Sequence, residues 1–508
     1  MEKIKADLKK DSLDYESSGD ADSKKISVEA FFAASIIFVT GATGFLGKAL
    51  VEKLLRSCSK ISTIYILIRS KKKLSLDERF KSLLNNSVFD RIRQECPEVL
   101  SKIVPMMGDI SQPNLGLSDH DRLLLIQNVN IVFHSAATVR FEEPLKVAIT
   151  LNTRGTQRIV ELCSEMMNLV SFVHVSTAYS NADLKEIGEI IYDTKITPEI
   201  AMDMADNLDD ELLNSLEAKL RGDHPNTYTL TKGLAEMLIF KKKLGFPVAI
   251  VRPSIIGAAC QEPFPGWIDN TTGITGVMLE SSCGRVRSSL VDNKCIIDMI
   301  PVDYAVDTVI CAAWRTLIQP YNSIQVYNYV SGALNPLTWK QLGDLINKYF
   351  IIYPSKYAVW YPGISFTKNV YLHKLYVVLF HLFPAYVVDL ILIYEGNKPM
   401  MVNLAKKVNR VAESARVFCT NEWQFSCNNV QYLIELLKTA SDKDNFHLDV
   451  REIEWDNYIQ KYILGMRQYL LKDTPETLPK ARNQIRKFYW IQKSIQFIII
   501  LILWLLIY

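Results

Sequence analysis

Apolar residues in this chain form two alternating patterns between residues 36 and 257, short continuous runs and longer amphipathic stretches. The short runs are rich in Val and Ile, which is typical of strands buried on both faces of a sheet. Six such strands are predicted, at residues 36–39, 64–68, 104–109, 131–135, 172–176 and 248–252. Because helical stretches separate them, we expect an α/β fold in which helices cover both faces of a parallel sheet.

The first predicted strand ends in a glycine-rich turn that leads directly into an amphipathic helix. Gly41, Gly44 and Gly47 recur at every third position of this turn. Glycines let the backbone approach a pyrophosphate, and the N-terminus of the following helix offers unpaired N–H groups and a positive dipole end. The turn therefore predicts nucleotide binding in a Rossmann-like, doubly wound sheet.

A basic cluster follows the second predicted strand, where Arg69 and Ser70 precede Lys71, Lys72 and Lys73. In this fold the adenosine ribose lies at that strand end, and chains that prefer NAD carry an acid there. An Arg or Lys instead suits a 2′-phosphate. The cluster favours NADP(H) with Arg69 as the contact; a solvated basic loop is the alternative.

Tyr228 and Lys232 form a Tyr-x-x-x-Lys pair on one face of a predicted helix. A nearby ammonium favours the phenolate, so we expect Lys232 to lower the pKa of Tyr228 and make the phenol a proton donor to an oxygen that receives hydride. The fifth strand ends in Ser176 and Thr177, either of which supplies a hydroxyl to orient a carbonyl.

Beyond about residue 340 the alternation stops and the chain becomes helical, aromatic and basic. Residues 375–394 form a nearly apolar stretch long enough to span a bilayer, but His381, Pro384 and Asp389 interrupt it. We favour a buried or membrane-resting hydrophobic helix pair that shelters an acyl chain. A core helix and a true span remain open.

Residues 495–508 are the most hydrophobic stretch of the chain. Fourteen residues reach about 21 Å as a helix, and beginning at Phe488 lengthens it enough to span if Lys493 snorkels. Upstream basic residues would remain cytosolic and attract anionic lipid; they are Lys480, Arg482, Arg486 and Lys487. The stretch predicts membrane anchoring, either across the bilayer or in one leaflet.

The composition of the chain limits the kinds of ligand and partner that it is expected to bind. With 58 basic and 55 acidic residues, the chain carries no nucleic-acid footprint. Nine scattered cysteines without a CxxC pair indicate small core hydrophobes, and no metal-ligand spacing occurs, so we expect no metal.

His134 and His174 are interpreted as core or cofactor-adjacent side chains, and Asp298 and Asp303 as structural. No apolar run follows Met1, so we expect no secretory signal.

The motifs resemble those of the alcohol-forming fatty acyl-CoA reductases, especially insect ones, within the extended short-chain dehydrogenase/reductases. The resemblance covers roughly residues 30–475 and rests on the stretches IFVTGATGFLGKALVEKLLRSC, SAATVRFEEPL, FVHVSTAYSN, YTLTKGLAE and FHLDVREIEWDNYIQKYILGMRQYLLKD. It implies reduction of a long-chain acyl-CoA to a primary alcohol with two NADPH, through an enzyme-held aldehyde.

The resemblance also implies roles for individual residues. Tyr228 is the proton donor, Lys232 its partner, and Thr177 the residue that orients the oxygen, with Ser176 as the alternative. Neither Cys163 nor Cys260 has a His partner that would support covalent capture. The implied cofactor contacts are Thr40, Gly41, Thr43, Gly44, Phe45, Leu46, Gly47, Arg69, Asp109, Ile110, Ala136, Tyr228, Lys232, Pro253 and Ser254.

From these patterns we expect a disordered tail at 1–30, an NADP-binding domain at 31–340, a helical acyl-binding domain at 341–475, and a basic linker with a membrane anchor at 476–508. Expected partners are acyl-CoA and membrane lipid, with a homo-oligomer left open. The endoplasmic reticulum is the favoured membrane and the peroxisome the second choice.

Arg285 and Arg287 either meet CoA phosphates or lie in a solvated loop. A membrane-bound dehydrogenase for sterols or other lipid carbonyls, and a non-enzymatic binding scaffold, are the alternatives.

Overall fold

A seven-stranded parallel sheet forms the centre of the computed structural model, which describes residues 27–70, 74–318 and 323–507. Its strand order is β3-β2-β1-β4-β5-β7-β11, which is doubly wound about β1. The sheet strands are β1 (Ile36–Thr40), β2 (Thr63–Ile68), β3 (Ile103–Met107), β4 (Ile131–His134), β5 (Ser171–Val175), β7 (Val248–Pro253) and β11 (Ile324–Tyr329). The fold class predicted from the sequence is confirmed.

Both faces of this sheet are buried. Alternate side chains of β1 enter different cores, since Ile37 and Val39 belong to one apolar cluster and Phe38 to another. Helices cover the two faces, as the unbroken apolar runs predicted. Strand β11 was not predicted, because Gln325 and Asn328 interrupt its apolar pattern; Asn328 is nevertheless buried and accepts a hydrogen bond from Arg252.

Six short strands form three two-stranded sheets outside the main one. They are β6 (Glu186–Ile187) with β13 (Gln424–Phe425), β8 (Ile255–Gly257) with β10 (Met299–Pro301), and β9 (Ser288–Leu290) with β12 (Ser365–Thr367). Strands β12 and β13 lie beyond residue 340 and pair with earlier strands, so backbone hydrogen bonds connect the C-terminal region to the first part of the chain. The helical character predicted for this region still dominates it.

The helices alternate with the strands in the first part of the chain and follow one another in the last. The α-helices are Val28–Phe32, Phe45–Ser57, Leu76–Leu84, Asp90–Glu95, Asp119–Asn128, Leu145–Ala148, Gly155–Glu165, Pro198–Asn207, Asp210–Arg221, Thr227–Lys241, Gly273–Ser282, Val302–Arg315, Trp339–Ile352, Val370–Tyr376, Phe383–Tyr394, Met401–Ser414, Arg416–Thr420, Asn428–Lys438, Trp455–Gly465 and Leu478–Ile507. Three π-helical segments continue neighbouring helices: Ile149–Arg154, Val377–Leu382 and Met466–Leu470.

Part of the predicted N-terminal tail belongs to the fold. Residues 1–26 lie outside the described residues, but Ser27 caps the helix Val28–Phe32, and the carboxylate of Asp442 accepts hydrogen bonds from the backbone N–H groups of Val28 and Glu29. The tail prediction for residues 27–30 is therefore wrong, because a contact with the distant C-terminal region orders them.

Two acids interpreted as structural have that role. The Asp303 carboxylate accepts hydrogen bonds from the N–H groups of Cys260, Gln261 and Glu262, and Asp298 accepts one from Gly332. Both acids are buried, and each fixes the course of a loop beside the sheet.

Two apolar helices project from the C-terminal region. Among the described residues, one helix, Val370–Tyr394, is long and apolar enough to cross a membrane; its mean hydropathy is 2.1, and 17% of its most apolar 18-residue window is buried. The last helix, Leu478–Ile507, includes most of the predicted anchor and exposes apolar side chains such as Trp490 and Phe497. Tyr508 lies outside the described residues.

Candidate active site

Every predicted site residue lies at the carboxyl edge of the main sheet or on a helix beside it. Because parallel strands end at one edge, residues far apart in sequence meet there. Thr40 closes β1, Arg69 follows β2, and Ala136 follows β4 by two residues. Ser176 and Thr177 follow β5, and Asp109 follows β3 by two residues. Pro253 closes β7 and Ser254 follows it.

The glycine turn is shaped by close backbone contacts. Gly41 has a φ of +78°, and a Cβ placed there would lie 2.7 Å from the backbone N of Ala136. A Cβ on Gly47 would lie 2.2 Å from the carbonyl O of Gly41. Gly44 donates its N–H to the same carbonyl at 2.8 Å. Only glycine fits at Gly41 and Gly47, which fixes the turn against the segment after β4.

The helix that follows this turn has no side-chain cap. Its N-cap is Gly44, and no side chain bonds its first N–H groups. Thr43 and Gly44 lie in the turn, and Phe45, Leu46 and Gly47 begin the helix, so their backbone faces the place where a helix N-terminus attracts an anion. Ser254 adds a buried hydroxyl without a hydrogen-bond partner among the described residues. These features fit a dinucleotide cofactor at this edge.

Two arginines lie beside the predicted ribose end. Arg69 is exposed, and its carbonyl O accepts a hydrogen bond from the Arg79 guanidinium. Burial and the neighbouring Arg69 charge lower the pKa of Arg79. Sequence reasoning missed Arg79, since it lies on the helix Leu76–Leu84 rather than in the basic cluster. Lys71, Lys72 and Lys73 lie outside the described residues.

Asp109 and Ile110 form a tight turn after β3. The Asp109 carboxylate accepts the N–H of Ser111 at 2.9 Å, and the Asp109 N–H bonds the carbonyl of Leu115. Ile110 is buried, and its side chain lies against Gly155. The pair forms an apolar and acidic wall at the Arg69 side of the sheet edge.

The segment after β4 is tied to the first strand. Ser135 Oγ donates to the carbonyl O of Thr40 at 2.8 Å, and the Ala136 N–H reaches Thr40 Oγ1 at 3.3 Å. His134 lies directly below, with Nδ1 2.7 Å from the same Thr40 hydroxyl. Burial lowers the pKa of His134 to about 3, so it is a neutral structural residue, as its sequence context indicated.

Tyr228 lies near the start of the helix Thr227–Lys241, which Asn226 caps through the N–H of Thr229. Its phenol lies near the side chain of Thr177 and keeps part of its surface accessible. Burial raises the pKa of Tyr228 to about 12, and the nearby Thr177 hydroxyl opposes that rise. The hydroxyl therefore holds its proton at neutral pH, as a general acid must.

Ser176 has a different partner from its neighbour Thr177. Its hydroxyl donates to the Glu236 carboxylate, which also forms a fully buried ion pair with Arg252 at 2.6 Å. Arg252 further donates to the carbonyl O of Gly188. The Ser176 hydroxyl thus belongs to a buried polar network behind the site. The Thr177 hydroxyl lies outside this network and accepts the N–H of Tyr179 at 3.3 Å.

Lys232 is buried one helical turn beyond Tyr228. Its Nζ donates to the carbonyl O of Val175 at 2.7 Å and lies 3.3 Å from His174 Nε2. Burial lowers the pKa of Lys232 to about 8, opposed by the Glu236 charge. The pKa of Tyr228 shows no contribution from Lys232, so the expectation that Lys232 lowers it is wrong for this structure; burial is the larger effect.

His174 is one of the two histidines that the sequence places in the core or beside the cofactor. Burial, with the Lys232 and His134 charges, lowers its pKa well below the ordinary value. The neutral imidazole therefore accepts from Lys232 through Nε2, while no partner meets its buried Nδ1 among the described residues. No local pattern could identify this contact, because the two residues are 58 positions apart.

Phe141 packs beside Tyr228 and joins it to aromatic side chains of the C-terminal region. Phe141 lies 6.2 Å from the Tyr228 ring centroid and 5.2 Å from that of Phe418. Phe418 also packs on Tyr179 and Trp423. Tyr228 therefore lies beside an aromatic cluster to which two parts of the chain contribute.

The remaining candidates have partners or protonation states that limit their roles. Burial raises the pKa of Cys260 to about 12 and that of Cys163 further, so both remain thiols rather than nucleophilic thiolates. Arg285 pairs with Glu280, and Arg287 lies over the rings of Trp360 and Phe380. Across the described residues no group of three or more His, Cys, Asp or Glu side chains forms a metal site.

The sheet edge, the uncapped glycine turn and the Tyr228–Lys232 pair define an oxidoreductase that uses a nicotinamide cofactor. Residues 39–309 match an NAD-binding family described as male sterility protein, and residues 380–473 match a second family with that description. Rat fatty acyl-CoA reductase 1 is 37% identical over 479 residues, covering 94% of this chain and 93% of the relative. The chain belongs to the fatty acyl-CoA reductase family, which confirms the resemblance.

An insect relative agrees with this placement, and two solved structures are similar in fold. The putative fatty acyl-CoA reductase CG8306 of Drosophila melanogaster is 41% identical over 461 residues, 89% of each chain. The fold is similar to the terminal reductase domain of the myxalamid biosynthetic pathway, with a TM-score of 0.58 at 19% identity over 92% and 98% of the two chains. A Mycobacterium tuberculosis nonribosomal peptide synthetase reductase domain gives 0.57 at 16% identity over 87% and 95%.

Proposed function

We propose that this protein reduces a long-chain fatty acyl-CoA to the primary alcohol and free CoA, using two NADPH and holding the aldehyde between the steps. The observation that carries the proposal is the position of the Tyr228 phenol, which lies near the Thr177 side chain just after β5, at the same carboxyl edge of the sheet as the glycine turn. The names of the relatives in rat and Drosophila melanogaster support the acyl-CoA substrate.

The residues at the sheet edge have complementary roles in this reaction. Bound NADPH supplies one hydride to the carbonyl carbon in each step. Thr177 and Tyr228 donate hydrogen bonds to the carbonyl oxygen, which stabilises the negative charge that develops there. Tyr228 then gives its proton to that oxygen. In the first step the resulting hemithioacetal loses CoA as the thiol and leaves an aldehyde; in the second, the same proton transfer yields the alcohol.

Lys232 has a positioning and electrostatic role behind the tyrosine. Its ammonium is held by Val175 O and His174 at the end of β5, so the charge lies on the buried side of the site. From there the ammonium would donate hydrogen bonds to the hydroxyls of the cofactor's nicotinamide ribose and so position the nicotinamide beside Tyr228. The aromatic cluster of Phe141 and Phe418 suits a carbonyl attached to a hydrocarbon chain, because it excludes water from the reaction.

NADPH is preferred over NADH in this proposal because of the Arg69 end of the site. The Arg79 guanidinium donates to the backbone carbonyl of Arg69, and the Arg69 charge lowers the pKa of Arg79. A 2′-phosphate near the end of β2 would compensate the repulsion between these two positive charges. Thr40, Thr43, Ala136 and Pro253 would line the rest of the cofactor with backbone atoms. Asp109 and Ile110 would form the wall beside the adenine.

The exposed apolar helices support attachment to a membrane with the catalytic domain in the cytosol. The basic residues before the last helix favour that side under the positive-inside rule. The endoplasmic reticulum is the proposed membrane and the peroxisome the second.

The test is product analysis with microsomes that contain the full chain. Incubation with a panel of acyl-CoAs and NADPH should give fatty alcohol, identified by gas chromatography. Tyr228→Phe should lower the rate by about 10²- to 10⁴-fold, the range for loss of a general acid. Tyr357→Phe, which removes an exposed phenol, is the matched control. Alcohol formation by Tyr228→Phe at the parental rate, or turnover of sterols but not acyl-CoA, would overturn the proposal.

A further inference from the structure

Residues 370–414 form a helical hairpin, here called the apolar hairpin, in which Val370–Tyr394 is followed by Met401–Ser414. The hairpin leaves and rejoins the fold at one point. Just before it, the carbonyl O of Thr367 accepts the N–H of Val291 at 3.0 Å. Just after it, the carbonyl O of Cys419 accepts the N–H of Asp292 at 3.0 Å. Both ends of the hairpin must therefore lie on the same side of any membrane.

Beyond the exposed Lys374 near its start, the first helix of the hairpin has its polar residues inside and most of its apolar residues outside. Buried His381 accepts the N–H of Arg287 and contacts Asn409 Oδ1, both at 2.9 Å. The buried Asp389 carboxylate accepts the N–H groups of Met400, Met401 and Val402 at the start of the second helix. The large exposed apolar side chains are Tyr371, Leu372, Leu375, Val378, Leu379, Phe380, Phe383, Tyr386, Val387, Val388, Leu390, Ile391, Ile393 and Tyr394.

This arrangement explains the residues that interrupt the apolar run. His381 and Asp389 do not face solvent or lipid, since each is satisfied by the protein itself. An apolar surface of this extent marks a contact with a membrane or with another protein. The outward face of the helix is therefore a docking surface, and its inward polar face fixes the second helix alongside it.

The second helix excludes a transmembrane arrangement of the first. Because it contacts both His381 and Asp389, it runs beside a segment about 12 Å long at 1.5 Å per residue. Along that segment it exposes Lys406, Lys407 and Arg410. Charged side chains in the hydrocarbon centre of a bilayer are strongly unfavourable, so these three cannot lie there. At the headgroup level the same charges meet anionic lipid.

The apolar hairpin is continuous with the last helix of the chain. Arg287 lies over the rings of both Trp360 and Phe380, and Trp360 stacks on Phe488. Gln492 accepts hydrogen bonds from Arg287 and from Trp360. The hairpin and the helix Leu478–Ile507 thus expose apolar residues from neighbouring positions, each beside basic residues. A bilayer covers two such helices at once.

We propose that the apolar hairpin lies within one leaflet of an anionic membrane, with Val370–Tyr394 embedded at the level of the upper acyl chains and Met401–Ser414 on the headgroups. The occupant is lipid rather than a second copy of this chain. A symmetric dimer through this face would bring the cations of Met401–Ser414 towards one another, whereas phosphatidylserine neutralises them. The proposal does not depend on which reaction the active site performs.

Lipid photolabelling of the full chain in nanodiscs tests the depth of the hairpin. Two phosphatidylcholine probes carry a diazirine near the glycerol or at the chain end, in discs with and without phosphatidylserine. We expect the shallow probe to label Val370–Tyr394 at least about fivefold more than the deep probe, with stronger labelling when phosphatidylserine is present. Equal labelling by the deep probe, or none by either, would overturn the proposal.

Paired variants separate the hairpin from the last helix. Leu390→Glu with Ile393→Glu should abolish most labelling of the hairpin while that of Leu478–Ile507 persists. Leu123→Glu with Met167→Glu, at comparably exposed sites elsewhere, should leave both unchanged. Near-ultraviolet circular dichroism checks that each variant is folded. Hairpin labelling unchanged by the two Glu substitutions would contradict embedding of this face.

A topology measurement addresses the span directly. A Gly/Ser loop with a central Asn-Gly-Thr acceptor is inserted after Gly396, at the open tip of the hairpin, and the chain is translated with microsomes. We expect no glycosylation, while the same loop in a secreted reporter is modified. Glycosylation at the tip would show a translocated loop and overturn the interfacial placement. If the apolar hairpin instead becomes shielded from solvent as the protein concentration rises, whether or not lipid is present, the surface belongs to a second copy of this chain.

Discussion

Thr177 and Ser176 are adjacent hydroxyl residues that the structure gives opposite tasks, and their substitution tests this division. Thr177→Val removes the hydroxyl that lies near the Tyr228 phenol and caps the following turn at 3.3 Å from the N–H of Tyr179. Loss of one donor to a developing oxyanion costs about 10²- to 10³-fold in kcat, or roughly 3–4 kcal/mol. The lost cap contributes about 1 kcal/mol of stability.

Ser176→Ala should have the reverse effect. The Ser176 hydroxyl is buried and donates to the Glu236 carboxylate, which keeps its ion pair with Arg252 in the variant. A hydrogen bond to a charged group contributes roughly 1.5–3 kcal/mol to stability. We therefore expect a lower urea midpoint with kcat near the parental value, because the hydroxyl does not face the reacting carbonyl.

The assay is kcat for an acyl-CoA and for the corresponding aldehyde at saturating NADPH, with urea unfolding of the same preparations. Thr177→Ser is the control that keeps a hydroxyl, and it should recover much of the activity that Thr177→Val loses. A large loss of kcat in Ser176→Ala with an unchanged urea midpoint would refute the assignment. Equal losses in both variants would also refute it.

Three further predictions concern the cofactor site and its protonation. Because the pKa of Lys232 is lowered to about 8, its ammonium loses a proton above that pH, so kcat/KM should fall on the alkaline side of a pH profile. In a folded, active Lys232→Arg variant, this fall should shift to higher pH. Gly41→Ala forces a Cβ at positive φ to within 2.7 Å of backbone, so it should cost more than about 2 kcal/mol in urea unfolding and abolish NADPH binding, whereas Gly245→Ala, with open space around it, should do neither. Arg69→Ala should raise the NADPH Kd at least about tenfold and leave that of NADH unchanged, with Arg79→Ala giving the same direction; equal changes for both cofactors in fluorescence titrations would contradict a 2′-phosphate contact.

The part of the fold that was predictable is the part with a local signal. Val39 and Ile66 belong to unbroken apolar runs, and such runs identify strands buried on both faces. The missed strand β11 lacks that signal, since its polar Asn328 is buried with partners supplied by Arg252 and by the carbonyl of Ile187. A polar residue satisfied by distant groups is indistinguishable in sequence from one that faces water.

In the candidate site, the shared helix face of Tyr228 and Lys232 was predictable, but the contacts of these side chains were not. Tyr228 and Lys232 share a helix, so their common face follows from the helical repeat. That Lys232 reaches the end of β5 and His174, rather than the phenol, depends on where the helix packs against the sheet. The balance between burial and charge that sets the pKa of Tyr228 also exists only in the folded chain.

By itself the sequence determined the parallel sheet, the glycine turn and the Tyr228–Lys232 pair, because each arises from residues within a few positions of one another. The tertiary structure alone decided that the Ser176 hydroxyl hydrogen-bonds Glu236 while that of Thr177 lies near the Tyr228 phenol. It also decided that His381 and Asp389 are buried on the inner side of an apolar helix. The physical reason is the same in each case. A polar side chain takes the role of the partner it is buried against, and that partner lies in a part of the chain that only folding brings near.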